Sequence, residues 1–260
     1  MNIAELQKGH QVLAKYQYPA GKIEKGYNNR TLYVNISDNT FKIKEVTDQM
    51  KKLFIGGRGF NLWLLWNAVN KDTRWDSPEN EICISGGPLC GTSSFPGSGK
   101  SIACSISPLT GTPVDSNVGG HFGPLMKFAG FDAIEIQGKA EEDIILVING
   151  ITRTLTIETA PLEPVDTHLV AEIFTEMYAE GMNEKQNVSV VSAGSAAENT
   201  LMGCLNFSFW DWRRQAPRVK QAGRGGIGSV FRNKKIKALI VKTENLRPKW
   251  KIEERIEKPI

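Results

Sequence analysis

The sequence predicts an α+β fold, in which mixed and antiparallel sheets pack with short helices and the two halves of the chain repeat one arrangement. Polar and apolar residues alternate over several runs of five to seven, which is typical of strands. Short apolar or amphipathic segments between these runs predict helices, and glycine pairs recur at similar places in both halves. Hydrophobic residues make up 40% of the 260-residue chain and charged residues 23%, which allows a sizeable core and excludes wholesale disorder.

The elements of the first half follow in order from these patterns. Residues 31–36 and 41–46 alternate around Asp38-Asn39, which predicts a hairpin. Thr47 is expected to cap a short helix that ends at Phe54. A second helix, 61–70, is apolar on nearly every side and is therefore expected to be buried. The remaining elements are strands at 81–85, 101–106 and 133–137, loops at 86–99 and 107–118, and a helix from Gly119-Gly120 to Phe128.

The second half repeats this theme. Residues 143–149 and 152–158 flank Asn149-Gly150, the strongest hairpin signal in the chain. The elements that follow are a helix at 168–179, strands at 187–192, 203–208 and 236–241, a basic loop, and a glycine-rich turn that opens another helix. In both halves a strand and a glycine loop precede a second strand, a polar loop and a glycine pair. Such a pseudo-two-fold domain is expected to present two similar anion-binding loops side by side.

Three segments are distinguished along the chain: an N-terminal arm (1–29), one domain (30–243) and a C-terminal tail (244–260). The longest apolar run, 62–66, is far shorter than the roughly 20 residues that cross a bilayer, and the first residues lack the pattern of a signal peptide. We therefore expect a cytoplasmic protein without a membrane partner.

The cysteines and histidines argue against a metal centre built by this chain alone. Cys83, Cys90, Cys104 and Cys204 form no C-x-x-C motif, and the three histidines are scattered. The cysteines are therefore expected to be small buried apolar residues.

Positive charge is concentrated near the end of the predicted domain. Residues 213–242 contain ten Lys or Arg and no Asp or Glu, although the net charge of the whole chain is only +4. This predicts an anionic partner, which is a nucleic acid, a phosphate-bearing cofactor or an acidic protein surface. The alternative is a solvated face whose counter-ions come from elsewhere in the fold.

One segment has the appearance of a nucleotide-binding loop. Pro96-Gly97-Ser98-Gly99-Lys100-Ser101 resembles the end of a P-loop, but Ser94 stands where the first glycine belongs. A P-loop also opens a helix, whereas 101–106 alternates like a strand, so the phosphate-binding helix end is absent. A lysine presented from a glycine loop can still bind phosphate in another geometry.

Two glycine turns are the other candidates for anion binding. Gly119 and Gly120 follow Asn117, and Gly223-Arg224-Gly225-Gly226 follows Lys220 and Gln221. Glycines at a helix start let a ligand approach the backbone N–H groups, although tight helix packing also requires glycine. The second turn runs directly into a core pattern, which favours an ordered loop over a disordered RNA-binding tail.

Taken in order, these segments resemble the N-terminal domain of the tungsten-pterin aldehyde:ferredoxin oxidoreductase family. The motifs that carry the resemblance are Gly57-Arg58-Gly59-Phe60, Gly86-Gly87-Pro88-Leu89-Cys90-Gly91-Thr92, Ser107-Pro108-Leu109-Thr110-Gly111, the run 115–123, the run 128–133, Gly138-Lys139-Ala140-Glu141, and Ala222-Gly223-Arg224-Gly225-Gly226-Ile227-Gly228. They are collinear over roughly residues 30–243.

The resemblance implies two pterin dithiolene cofactors that together hold one tungsten or molybdenum. It also implies a Mg²⁺ ion between the two pterin phosphates, bound by the backbone carbonyls of Asn117 and Gln221, which agrees with the oxygen preference of this ion. The cofactor-binding positions carried over are Arg58, Ser98, Gly99, Lys100, Asn117, Gly119, Gly120, Lys220, Gln221, Ala222, Gly223, Arg224, Gly225 and Gly226.

This chain departs from the family at four points, one of which is Gln221, where a small residue is common. Lys100 and Lys220 stand where the family usually has arginine, which retains the charge but loses the bidentate fork. The family continues for several hundred residues beyond the position of Val241. That part carries the cysteines of a [4Fe–4S] cluster and the residues around the aldehyde, so we expect no catalytic acid, base or nucleophile in this chain.

The leading hypothesis is therefore a cofactor-binding subunit or domain of an enzyme that oxidises an aldehyde to a carboxylate. Its expected partners are a chain with the family's C-terminal domains and ferredoxin or a similar electron carrier. One alternative is a non-enzymatic module that binds or inserts the pterin cofactor. Another is a nucleotide- or nucleic-acid-binding protein.

Overall fold

The computed structural model describes residues 2–92 and 97–244. Within these residues two β-sheets form the frame of the molecule. The six-stranded sheet has the spatial order β3 (Thr40–Glu45), β2 (Arg30–Asn35), β7 (Ala133–Gln137), β4 (Ile82–Ser85), β5 (Ser101–Ile106), β6 (Pro113–Val118). The seven-stranded sheet has the order β1 (Val12–Gln17), β9 (Thr154–Thr159), β8 (Ile144–Asn149), β13 (Ile236–Lys242), β10 (Val188–Ser192), β11 (Leu205–Asp211), β12 (Ala216–Ala222).

The two sheets have the same topology. If β1 is set aside, each strand of one sheet has a counterpart in the other, from β3 and β9 at one edge to β6 and β12 at the opposite edge. In each sheet one neighbouring pair is parallel, β2 with β7 and β8 with β13, and the other pairs are antiparallel. The strand order therefore establishes the internal duplication, and the predicted α+β class with mixed sheets is confirmed.

Helices form three layers around and between the sheets. On the outer face of the six-stranded sheet lie α2 (Asp48–Leu53) and α3 (Arg58–Ala68), and on the outer face of the other lie α1 (Ile3–Lys8) and α5 (Thr167–Tyr178). Between the sheets lie α4 (Phe122–Phe128) and α6 (Ile227–Asn233). Helix α4 of the first half contacts β10 and β11 of the second, and α6 contacts β4 and β5 of the first. Buried residues of both sheets and both inner helices consequently form one continuous core.

Two segments that the sequence analysis describes as loops are strands. Residues 113–118 and 216–222 form β6 and β12, each at the edge of its sheet. An edge strand pairs on one side only and tolerates proline and charge, so Pro113, Pro217 and the basic residues of β12 obscure the strand pattern. The other predicted elements lie where the sequence places them, within a few residues. Thr47 caps α2 by accepting a hydrogen bond from the backbone N–H of Met50.

The expectation that the apolar helix is buried all round is wrong. It begins at Arg58, and two of its large apolar side chains face solvent: Leu62 is 39% exposed and Trp66 is 81% exposed. The inner side of the helix, with Phe60, Leu64 and Leu65, is buried against the six-stranded sheet.

The segment before residue 30, expected as an arm, contributes to the second half of the fold. Strand β1 pairs with β9, and Leu6 of α1 packs into the cluster that includes α5. The buried His10 ring lies between two carboxylates, with Nδ1 3.2 Å from Glu158 and Nε2 2.5 Å from Glu163. Burial alone would lower the pKa of His10, but these hydrogen bonds and charges outweigh it and raise the pKa to about 9. The predicted tail beyond residue 244 lies outside the described residues.

The two inner helices each bury a cation at the same position. Lys127 of α4 and Arg232 of α6 both stand five residues after the first residue of their helix. The Lys127 ammonium donates to the carbonyls of Gly26 and Gly87 and lies 3.4 Å from Asp132. The Arg232 guanidinium donates to Asp143 at 3.0 Å and to Glu198 at 2.5 Å. Each cation thus fastens the loop that follows β4 or β10 to the centre of the molecule.

Candidate functional site

The predicted site is built where the two edge strands β6 and β12 contact each other. Asn117 is the second-last residue of β6 and pairs with Ile102 of β5. Gln221 is the second-last residue of β12 and pairs with Asn206 of β11. These two residues therefore occupy the same position in the duplicated frame, and a glycine follows each of them two residues later.

Each glycine turn contacts the other half of the molecule. The backbone N–H of Arg224 donates to Ser116 Oγ on β6 at 3.2 Å, and Gly225 lies against Val114 of the same strand. In the opposite direction, Gly120 lies beside Ser208 and Phe209 of β11. These reciprocal contacts bring the two turns into one region.

The glycines of the two turns fall into two groups: some are required by the backbone conformation, and the others are not. Gly120, Gly225 and Gly226 have φ of +103°, +76° and +67°, where residues with a side chain are strained. Gly119 and Gly223 have no such φ. Among residues 2–92 and 97–244, a Cβ at Gly119 would meet no atom within 4 Å, and one at Gly223 would meet only Gln221 Cβ at 3.8 Å. Neither the backbone conformation nor packing within the described chain explains these two glycines, which leave open space at equivalent places.

Positive side chains without acidic partners surround this region. Lys100, Lys220 and Arg224 are exposed and form no ion pair among residues 2–92 and 97–244. The Lys220 ammonium lies 5.6 Å from the centre of the Phe209 ring, which holds it against β11. Arg58, at the start of α3, instead donates to Asp115 of β6 at 2.9 Å. Three cations are therefore free to meet an anion, and the fourth is held by a carboxylate.

The predicted residues Ser98, Gly99 and Lys100 adjoin the first glycine turn. A Cβ at Gly99 would lie 2.7 Å from the carbonyl oxygen of Gly120, so the two segments touch through their backbones. A cleft of about 310 Å³ opens beside them; its walls are Ile55, Gly87, Pro88, Leu89, Cys90, Gly97, Ser98 and Lys100. The chain continues from Lys100 into β5 and not into a helix, which confirms the strand that argues against a P-loop. Pro96 lies outside the described residues.

His121 completes the first turn but contributes no charge. It stands at the start of α4 with its ring centre 5.7 Å from that of Phe209, and burial lowers its pKa. The positive potential of the site therefore comes from Lys and Arg side chains. Ala222 is buried at the end of β12, where it can contribute only its backbone to a ligand.

Two cysteines border the site: Cys90 lines the cleft beside Lys100, and Cys204 Sγ lies 3.9 Å from the carbonyl oxygen of Gly223. Cys83, Cys90 and Cys104 are buried, as predicted, whereas Cys204 is partly exposed. Burial raises the pKa of Cys90 to about 11 and of Cys104 to about 12, so these thiols stay protonated at neutral pH. Within the described ranges, no three His, Cys, Asp or Glu side chains are placed together to hold a metal ion.

Two residues outside the predicted set shape the site. Asp115 holds Arg58, and its signal was available, because residues 115 and 117 of a strand point to the same side. Phe209 lies beneath Lys220 and beside His121, and nothing in the sequence connects it with either. A wider cleft of about 1320 Å³, bordered by Asp143, Glu198 and Arg232, contains none of the predicted site residues. None of the described helices is long and apolar enough to traverse a membrane.

Comparison with known proteins places this geometry in a family. Residues 31–243 match the model of the aldehyde ferredoxin oxidoreductase N-terminal domain. The tungsten-containing aldehyde ferredoxin oxidoreductase of Pyrococcus horikoshii is 35% identical over 84% of this chain and 33% of its own length. The WOR-like subunit of an aliphatic sulfonate oxidoreductase from Pyrococcus furiosus is 28% identical over 83% of this chain and 34% of its own length.

A solved structure has the same fold. It is the active-site complex BamBC of benzoyl coenzyme A reductase with 1,5-dienoyl-CoA; one of its chains superposes with a TM-score of 0.74 at 28% identity, over 85% of this chain and 32% of that chain. The chain thus spans about a third of the length of the relatives that it matches.

Proposed function

This chain belongs to the aldehyde ferredoxin oxidoreductase family of oxidoreductases through the N-terminal domain of that family, and on this premise we propose that it binds a tungsten bis-pterin cofactor in an enzyme that oxidises aldehydes to carboxylates. Molybdenum is the alternative metal. Three relatives from Pyrococcus species carry tungsten and aldehyde in their names, which supports this choice of metal and substrate class.

The open space at Gly119 and Gly223 is the observation that carries the proposal. Two glycines at equivalent positions, neither of which the fold requires, leave room for two similar groups to approach the backbone. Lys100, Lys220 and Arg224 stand around this space with no acidic partner in the part of the chain that the structure describes, as two phosphate-bearing ligands would require. The residues present therefore fit a paired pterin cofactor.

The proposed Mg²⁺ ligands are the backbone carbonyls of Asn117 and Gln221. Magnesium prefers oxygen ligands and commonly bridges phosphates to the protein, so one carbonyl from each half suits an ion between two phosphates. Because the proposed ligands are backbone atoms, the difference between an Asn and a Gln side chain does not affect them.

The cofactor, when bound, supplies the two-electron chemistry that converts an aldehyde and water into a carboxylic acid. The chain's own residues bind and orient it. Lys100, Lys220 and Arg224 offset phosphate charge, Asp115 holds Arg58 at the border of the site, and the glycine turns keep side chains away from the ligand. In the proposed reaction, no side chain of this chain acts as a catalytic acid, base or nucleophile.

The rest of the proposed enzyme corresponds to the two-thirds of the relatives that this chain does not span. We propose that this part holds the [4Fe–4S] cluster and the aldehyde, and that electrons leave through the cluster to ferredoxin or a similar carrier in the cytoplasm.

The test is metal and pterin analysis of the chain purified without oxygen, together with its partner polypeptide, from its own host grown with tungstate. We expect stoichiometric tungsten and two pterins per chain, and dye reduction that depends on an aldehyde. Lys220→Glu places a negative charge beside a phosphate and should lower tungsten content about fivefold or more. Lys71→Glu, an exposed position outside the site, is the matched control.

Other results would decide against the proposal. Pterin without aldehyde-dependent activity, even with the partner present, would favour the binding or insertion module. Nucleotide turnover or salt-dependent RNA binding would favour the third hypothesis. Equal tungsten content in Lys220→Glu and Lys71→Glu would remove the second turn from the site.

A further inference from the structure

Large apolar side chains are exposed on one side of the first half. Trp66 is 81% exposed, Ile55 75%, Leu53 56%, Leu89 50% and Leu62 39%. We name these five residues the α3 apolar surface. Exposed apolar residues are unremarkable singly, but a group of large ones marks an interaction site.

These residues form two adjoining groups around the start of α3. Leu62 and Trp66 are four residues apart, and Arg58 precedes them by another four, so all three share one face of the helix. Ile55 and Leu89 border the cleft that also contains Lys100. Phe54 packs edge-on against Trp63 with ring centres 6.2 Å apart, which fastens the segment of Leu53 and Ile55 to α3. One group therefore borders the cleft beside Lys100, and the other lies along α3.

The counterpart helix of the second half, α5, presents a more polar face, although Leu162 and Met182 in its flanking segments are 57% and 47% exposed. Helix α5 carries Glu172 and Glu176, as a solvated helix does, and its large exposed apolar residue is Leu169 at 47%. Helix α3 carries one charge, Arg58 in its first turn, and none after it. Since both helices cover the same face of the same kind of sheet, the sheet does not account for the difference.

We infer that the α3 apolar surface binds the polypeptide that corresponds to the remaining two-thirds of the relatives. Two observations identify this occupant. The chain spans only about a third of those proteins, and the surface adjoins the candidate site through Arg58, which is paired with Asp115, and through the Lys100 cleft. Lys52 and Lys100 are exposed near the two groups. We therefore expect the contacting face of the partner polypeptide to have apolar pockets with carboxylates at their rim. The identity of this partner rests on the proposed function.

The test is co-purification of the affinity-tagged 260-residue chain from its own host, followed by sequencing of the proteins bound to it by mass spectrometry. We expect one stoichiometric polypeptide whose sequence belongs to the C-terminal part of the family. Leu62→Glu together with Trp66→Glu should reduce its recovery about tenfold or more, because a large aromatic residue at the centre of an interface dominates binding. Leu169→Glu, at the exposed apolar position of α5, should leave recovery unchanged.

Three outcomes overturn the inference: a chain that purifies alone, a homodimer that the Glu variants dissociate, or a complex that survives both of them. Unfolding midpoints of the variants, expected to match wild type because both side chains are exposed, separate loss of binding from loss of folding. Tungsten and pterin are measured in the same samples. A complex without cofactor would contradict the proposed function and leave this interface intact, whereas a cofactor-loaded monomer would contradict the interface alone.

Discussion

The two halves of the molecule share one frame of strands and differ in the side chains that they place on it. Immediately before Asn117 stands Ser116, buried and bonded to the other half, whereas before Gln221 stands Lys220, exposed and positive. Helix α3 presents Leu62 and Trp66 to solvent, and α5 presents glutamates. The duplication thus supplied the scaffold and two equivalent turns, while binding chemistry was added unequally to it.

The buried cations of α4 and α6 offer the sharpest form of this comparison. Lys127 faces Asp132, which is 2% exposed and has one buried oxygen without a hydrogen-bond partner among the described residues. Arg232 faces Asp143 and Glu198, whose side chains are 27% and 44% exposed. The two halves therefore use equivalent cations against carboxylates with very different access to water.

The largest expected effect is that of Lys127→Met. It leaves Asp132 buried without its cation, and breaking a buried pair in this way costs about 3–5 kcal/mol. Arg232→Met should cost less, about 1–3 kcal/mol, because water can solvate Asp143 and Glu198. Urea unfolding of the two variants measures the difference. Equal losses would show that the two cations are equivalent in energy as well as in position.

His10 lies just before β1, the strand that the second sheet has in addition, and it bonds Glu158 of the neighbouring strand β9. Its pKa in the folded chain, about 9, lies above the ordinary value of 6.5. The resulting stabilisation is complete below pH 6.5 and is lost as the pH rises through 9. The stability advantage of wild type over His10→Gln should therefore shrink by about 2 kcal/mol between pH 7 and pH 10. Denaturant unfolding at several pH values checks this, and an advantage that does not change with pH would contradict it.

Some glycines have free space where a Cβ would lie, and others have neighbouring atoms there. Gly119→Ala and Gly223→Ala add a methyl group where no clash occurs, so stability should be equal to wild type or up to about 1 kcal/mol higher. Gly228→Ala, whose Cβ would lie 2.2 Å from the carbonyl oxygen of Cys204, should lose about 1–3 kcal/mol.

For cofactor content, substitutions at the two open glycines should have the large effect. Gly119→Val and Gly223→Val place a branched side chain in the proposed ligand space, and we expect about tenfold less tungsten at unchanged unfolding midpoints. Full tungsten occupancy in both valine variants would contradict the assignment of the two turns. A loss in only one would show that the halves hold the cofactor unequally.

Local signals made much of the fold predictable. The Asp38-Asn39 and Asn149-Gly150 turns, the Thr47 cap and the alternation of 101–106 each depend on neighbouring residues, and each has its predicted structure. Strands β6 and β12 were missed because a sheet edge imposes only half of the usual pattern. The exposure of Trp66 was also missed, since an apolar helix that faces a partner has the same sequence pattern as one that faces a core.

The sequence singles out residues for the candidate site but does not show how the fold brings them together. Repetition and glycine spacing pointed to Asn117, Gly119, Gln221 and Gly223, which the fold places at equivalent strand ends. Contacts such as Arg224 with Ser116, or Lys220 with Phe209, join residues that are distant in the chain or on different strands. These contacts depend on how the halves pack, which no local pattern encodes.

The exchange of inner helices has a consequence for any attempt to divide the molecule. Helix α4 packs on β10 and β11, and α6 packs on β4 and β5. The inner helix of each half therefore buries apolar residues of the other half's sheet. A fragment that ends near residue 140 would expose the inner apolar face of the six-stranded sheet to water. We expect such a fragment to aggregate or to pair with another copy. Cooperative unfolding in a single transition is the corresponding signature of the intact chain.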